Sequence, residues 1–389
     1  MGKSIQALIT PEVLAWARNL DGLTIEEAAS RLNIAADKIR AWENGQAHPT
    51  LRQAKELAKY YRIPFVTLYL PDPPKKPKRI DRVDYRTFGN VGVAITTSRE
   101  LRWLLRDIED RRDSMIELYK IDGRTPKTFP LHMSEADSEG KIATEIRNLL
   151  GLTPSVQKKF RKPEKALSYC ISVLENLDVL VFQAAKIEPS EMRGLSLGYS
   201  EMPIIVLNRK DENSARLFSL IHELAHIVLN NAGICNEIGS ETVSRNEVEL
   251  RCNRIAGLVL APINDIKTHP AIESIVKYGF DDTYINAMAR DFAVSKEVIL
   301  YNIYDLGIIT KDFYFETLGR YKDEYREYAS KKKGGMIPPA LDKGTQVGRL
   351  YARTVLDAYH NDKISTRDAS AYLLNLGVKH FGSIERWCL

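Results

Sequence analysis

Apolar residues recur along most of this chain at three- and four-residue intervals, and one region changes to the alternation of strands. Over residues 1–70 the pattern predicts only short helices. Thr24-Ile25-Glu26-Glu27 reads as a capping box, with Thr24 at the N-cap and Glu27 three residues on. It opens an amphipathic helix through Ala28, Ala29 and Leu32. A break at Asn33-Ile34-Ala35 precedes Ala36 to Glu43, which Asn44-Gly45 ends as a left-handed cap would. Pro49 and Thr50 start a further helix, Leu51 to Tyr61, with Ala54, Leu57 and Ala58 on its inner face. Two short helices across a tight turn, inside such a bundle, make helix-turn-helix architecture.

Residues 71–90 are expected to be a linker. Pro71 to Arg79 is rich in proline and lysine, which disfavours helix and favours an extended spacer. From Ser98 a long amphipathic helix runs through Leu101, Leu104, Leu105, Ile108 and Met115 towards Tyr119. Two more follow, one holding Ile142, Ile146, Leu149 and Leu150, the other running from about Pro163 to Asn176. The period then changes. Val179 to Phe182, Arg193 to Ser200 and Ile204 to Leu207 read as strands. A helix follows directly, from a polar start at Asp211 to Ser214 through Ala215 to Leu229, and Asn230-Asn231-Ala232-Gly233 stop it. After a polar stretch, Asn236 to Asn246, another helix covers Glu247 to Leu260 before Ala261-Pro262. A small helical unit spans Ala287 to Gly307, Lys331 to Pro339 reads as a second linker, and the tail is helical. The fold class expected is therefore multidomain and mainly α. It has a helix-turn-helix bundle over 1–70, a central α+β domain with a small sheet over 91–330 and a C-terminal helical unit over 331–389.

The chemistry sits in the helix after the strands. Ile221-His222-Glu223-Leu224-Ala225-His226 is a His-Glu-x-x-His sequence. Residues four apart share a helix face, so His222 and His226 can reach one metal together. Two imidazoles and a carboxylate suit zinc, which needs a third protein ligand and an open position for water. Zinc brings the pKa of a water there towards neutrality, and Glu223 is placed to take the proton as general base. That is the chemistry of peptide-bond hydrolysis. The three-histidine extension of this motif is excluded, because Leu229 and Ala232 stand where it needs glycine and histidine. Glu249, Glu247, Cys252, Cys235 and Glu241 are the candidates for the third ligand. The preceding strands have a use beside such a helix, since an edge strand can hold an extended peptide by main-chain hydrogen bonds. Gly194 to Tyr199, with Gly194, Leu195, Ser196 and Leu197 at its centre, is expected at that edge.

Composition adds limits. At 389 residues two or three domains are expected, and 44% hydrophobic with 28% charged residues is ordinary for a soluble protein. The apolar patch before Glu12 is too short for a secretory signal, and no run is long enough for a membrane span. Four cysteines, Cys170, Cys235, Cys252 and Cys388, stand far apart, which predicts reduced thiols and a cytoplasmic setting. The net charge of +5 permits nucleic-acid contact without demanding it. Residues 1–72 hold nine Lys/Arg against eight Asp/Glu, a weak excess for a phosphate binder, and the linker lysines could add to it.

Two resemblances rest on these residues. Thr24 to Leu32, the Trp42-Glu43-x-Gly45 end, Pro49-Thr50 and Ile63-Pro64 resemble the helix-turn-helix domain of the XRE/Cro repressor family. That resemblance implies that the second helix of the pair enters the major groove of double-stranded DNA and presents Ala36, Lys38, Arg40 and Ala41. His222 to His226, the strand before it, and Glu249-x-x-Cys252-Asn253-x-Ile255-Ala256 ending in Leu260-Ala261-Pro262 resemble the ImmA/IrrE family of metallo-endopeptidases. The likeness covers about residues 180–310. It implies a zincin-like, gluzincin-type metallopeptidase domain, Zn2+ as cofactor and Glu249 as third ligand. Cys252, Ile255 and Ala261 stand where the family usually has Ala, Phe and Met.

The expected function is a zinc-dependent endopeptidase coupled to a DNA-binding regulator, acting on a repressor-like protein in stress, prophage or mobile-element control. A second copy of the chain, forming a homodimer, is a further expected partner; a membrane is not. The rival of a different class is a non-enzymatic regulator or antitoxin that uses the zincin fold to bind a partner toxin. An intact Glu223 argues against it, because a scaffold has no use for a general base.

Overall fold

The computed structural model describes residues 5–74, 98–230, 243–331 and 337–388. The chain divides into two compact units, residues 1–82 with 97–103, and residues 83–96 with 104–389.

The first unit holds α1 (Pro11–Leu20), α2 (Ile25–Leu32), α3 (Ala36–Glu43) and α4 (Leu51–Tyr60), with a 3-10 turn at Phe65–Tyr69. Thr24 and Thr50 both close capping boxes, with Glu27 and Gln53 as the returning side chains. Asn33 takes the left-handed conformation that lets α2 stop and α3 start three residues later. The core is Leu14, Ala17, Ile39, Trp42, Leu57 and Tyr61, all buried. A short antiparallel bridge, Gln6 to Thr50, seats the segment before α1.

The helix α5 (Arg99–Ile121) begins in the first unit and continues in the second. Its first turns are fastened to the helical bundle. The fully buried Asp21 accepts from Arg99 Nε at 3.2 Å and Trp103 Nε1 at 3.0 Å. The Arg99 guanidinium also lies 3.7 Å from the Tyr60 ring centre and 4.1 Å from that of Trp103.

The second unit continues with α6 (Glu139–Leu150), α7 (Pro154–Phe160), α8 (Pro163–Glu175), β1 (Leu180–Ala184), β2 (Gly194–Leu197) and β3 (Ile204–Asn208). The sheet has the order β1-β3-β2, with β1 parallel and β2 antiparallel to β3. β3 is buried on every residue, as a central strand covered on both faces must be. Then come α9 (Asn213–Asn230), α10 (Val243–Leu260), α11 (Ile263–Lys267), α12 (Pro270–Tyr278), α13 (Asp282–Phe292), α14 (Lys296–Asp305) and α15 (Lys311–Lys331). α9 is buried on all sides, with Leu217, Leu220, Ile221, Leu224 and Val228 at 2% exposure or less. It packs on α8, α10, β2 and β3, so whatever it carries is held from four directions.

The C-terminal helices α16 (Pro339–Val347), α17 (Arg349–His360), α18 (Thr366–Tyr372) and α19 (Phe381–Cys388) lie in this same unit. α16 and α17 pack against β1. Glu175, at the end of α8, accepts from the first two amides of α17, Arg349 N at 3.0 Å and Leu350 N at 3.1 Å. Arg209, one residue past β3, donates to Asp342 Oδ1 at 2.5 Å and Thr345 Oγ1 at 3.1 Å on α16. No described helix is long and apolar enough to cross a membrane. The proposed linkers at 71–90 and 331–335 fall largely outside the described residues.

Candidate functional site

α9 carries His222, Glu223 and His226, and α10 brings Glu249 to them. The two Nε2 atoms of His222 and His226 stand 3.0 Å apart. Glu249 places Oε2 3.2 Å from His222 Nε2 and Oε1 3.3 Å from His226 Nε2. His222 and His226 are buried at 0% and 2% exposure, whereas the Glu249 side chain is 24% exposed, so the cluster opens to solvent on the Glu249 side. Donor atoms about 2.0–2.2 Å from a tetrahedral centre stand about 3.3 Å from one another, so the three side chains fit one divalent metal. Of the five candidates for the third ligand, Glu249 is the one found in the cluster. Cys235 and Glu241 lie outside the described residues, and Glu247 and Cys252 are on α10 but not within the group.

The electrostatics follow from this crowding. Burial disfavours a charged His226, yet hydrogen bonds with Cys252 and Glu249 hold its imidazole well above the ordinary value. Burial likewise disfavours an ionised Glu249, but the two histidines hold it well below the usual carboxylate range. The cluster thus keeps an anionic carboxylate against two imidazoles, the donor set that a soft-to-borderline cation takes. Phe218, one turn before His222, stacks on its ring at 6.5 Å between centroids. The Cys252 thiol meets the His226 side chain, whose Nε2 faces His222 and Glu249. An outer partner of this kind orients a metal-binding imidazole.

Glu223 is 1% exposed, and one of its carboxylate oxygens is held from the sheet. Its Oε2 accepts from Ser196 Oγ at 2.8 Å. β2 is the edge strand of the sheet, as expected for Gly194, Leu195, Ser196 and Leu197, but all four residues are buried, and Gly194 and Ser196 face α9. Sequence reading missed the Ser196 contact. The signal available was a lone hydroxyl, alternating with leucines, in a strand next to the His-Glu-x-x-His helix.

In the first unit α2 and α3 form the helix-turn-helix pair. Ala36 and Ala41 are half-buried, and Lys38 and Arg40 are exposed. Arg40 is already engaged, to Asp37 Oδ1 at 2.8 Å and to Glu26 Oε1 at 3.0 Å. Of the four residues expected to face DNA, Lys38 is the one whose charge no described ion pair meets.

The fold and site together define a class: a helix-turn-helix module in one chain with a metallopeptidase-like domain. Comparison with known families narrows it. Residues 175–304 match the IrrE N-terminal-like domain of peptidase M78, and residues 14–68 match a helix-turn-helix domain. The two matches fit the ImmA/IrrE family carrying an XRE-type helix-turn-helix. No curated protein matches the chain.

Proposed function

We propose that the chain is a cytoplasmic, zinc-dependent endopeptidase coupled to a DNA-binding regulator, and that it cleaves a repressor-like protein. The observation that carries this is the convergence of His222, His226 and Glu249 on one point, with the buried Glu223 next to His222 on the same helix. Two imidazoles and one carboxylate favour zinc over magnesium or calcium, which take oxygen donors. Zinc bound there would supply Lewis acidity to the scissile carbonyl and to the attacking water.

The remaining chemistry belongs to the chain's own residues. Glu223 takes one proton from the attacking water as its oxygen adds to the carbonyl carbon. As the C–N bond breaks, the same carboxyl returns that proton to the departing nitrogen, so Glu223 ends as it began. The burial of Glu223 excludes bulk water from the base. Strand β2 would hold the substrate in an extended conformation along its free edge. The α3 residues Ala36, Lys38, Arg40 and Ala41 would face the major groove, with Lys38 giving the main charge contact.

The test uses the full chain with stoichiometric zinc and, as candidate substrate, a helix-turn-helix repressor from the same genome. Cleavage that a chelator abolishes and zinc restores is the expected result. Binding of that protein without cleavage, whether or not zinc is present, would replace the peptidase with the scaffold reading.

A further inference from the structure

Gly194 and Ser196 occupy alternate positions on β2, so both face the same side of the sheet. That side is α9, and the residue they meet is Glu223. Ser196 Oγ donates to Glu223 Oε2 at 2.8 Å, with Ser196 at 6% and Glu223 at 1% exposure. A methyl group at position 194 would lie 2.7 Å from Glu223 Oε1, 3.1 Å from its Cγ and 3.2 Å from its Cδ. Gly194 does not have a left-handed φ, unlike seven glycines among the described residues, so backbone freedom does not explain it. Room for Glu223 does.

We propose that Gly194 and Ser196 form the seat of the general base: Gly194 leaves the space for its carboxylate, and Ser196 fixes the carboxylate's rotation. Ser196 is a positioning residue, acting through Glu223 and not on substrate. A long, flexible carboxylate in a buried site needs such a partner, because an unheld glutamate samples several rotamers and one of them faces the reacting water. The Oγ–H of Ser196 binds Oε2 and so sets the plane in which the carboxylate presents its oxygens. The seat also ties the base to the sheet edge, since one strand would both carry the peptide and aim the group that activates its hydrolysis. Ser196 would then report peptide docking to Glu223 through a single hydrogen bond.

This inference rests on the reading of Glu223 as general base, and its test separates the two. Full-length Ser196→Ala, Ser196→Thr, Gly194→Ala and Glu223→Gln are prepared with zinc and, in parallel, with Co(II). Turnover is read on a pool of quenched fluorescent decapeptides. Metal content and the visible Co(II) absorption band are readouts that need no substrate. Every variant should bind one metal per chain. Ser196→Ala should lower kcat about tenfold with KM within about twofold, the size of losing one hydrogen bond to a charged group. Gly194→Ala should give the same split, and both should move the Co(II) band, because Glu223 swings relative to the open metal position. Ser196→Thr, which keeps the hydroxyl, should restore most of kcat and the parental band. An unchanged kcat and Co(II) band in Ser196→Ala, with Glu223→Gln inactive, overturns the seat and leaves the peptidase intact. Full turnover by Glu223→Gln overturns the peptidase reading itself. Should no substrate be turned over by the parent chain, the Co(II) band alone decides the seat.

Discussion

Charge is disposed differently in the two units. Around α1 to α4, charges both buried and exposed meet partners of their own unit. Arg18 grips Glu43 through two hydrogen bonds of 2.8 Å, Asp21 is closed by Arg99 and Trp103, and Arg40 is spent on Asp37 and Glu26. Around α9 and α10, by contrast, two buried imidazoles and a carboxylate crowd one point in an arrangement that could hold a metal ion. The first arrangement makes a self-sufficient module. The second keeps strong interactions in reserve for something that binds. The lesson is that burial of charge has two meanings, and the partners decide which one applies.

The comparison is broken most sharply at the metal. His226→Ala should lower zinc affinity by at least about 100-fold and leave less than one equivalent bound after dialysis, measured by metal analysis and chelator competition. Retention of tight binding would mean that the cluster is structural crowding and not a site. On the self-sufficient side, Arg18→Ala leaves Glu43 buried without its partner, and should destabilise the first unit by about 3 kcal/mol in denaturant unfolding. A loss near zero would show that this pair does not hold the module.

Glu175 sharpens the same contrast by pH. Burial pushes its carboxyl up to about 7, against the lowering effect of the α17 amides it accepts from. The folded value lies above the unfolded one, so the stability it contributes is full below about pH 4.5 and is lost as pH rises through about 7. Parental chain and Glu175→Gln should therefore differ in their stability-versus-pH slope between those values, by about 3 kcal/mol across the window. Parallel slopes would contradict this.

The smallest effect is expected on α3. Lys38→Ala should weaken binding to upstream DNA uniformly and reduce the salt slope by about one, whereas Arg40→Ala should do little because its charge is already met. Asp37→Ala should strengthen binding several-fold. The reverse order in electrophoretic shifts would show that DNA pulls Arg40 from its acidic partners.

Much of this was legible in the sequence wherever the controlling interaction is local. The capping box at Thr24 stands as read, because its two ends are three residues apart and it needs nothing else. The start of α9 was set by its polar residues, and the shared face of His222 and His226 by helical spacing alone, while the expected stop at 231–233 lies outside the described residues. The strands were visible in outline, but not the parallel pairing of β1 with β3 or the antiparallel register of β2, which depend on contacts between distant segments. Spacing left five candidates for the third ligand, because the choice is made by how α10 packs on α9. Glu175 reads as an ordinary helix-end acid until the C-terminal helices arrive on it 174 residues later. Ser196 was noted only for its strand. Its role depends on the close approach of β2 to α9, which the sequence does not encode within reach of either element.

The central claim is that Glu223 is a working base beside a metal held by His222, His226 and Glu249. The measurement that tests it most directly pairs zinc content with cleavage of a pool of quenched fluorescent decapeptides by the parental chain and by Glu223→Gln. The account predicts one zinc per chain in both, with cleavage by the parent and a loss of at least about 1,000-fold in the variant. Full zinc occupancy with equal cleavage by the two proteins would contradict it.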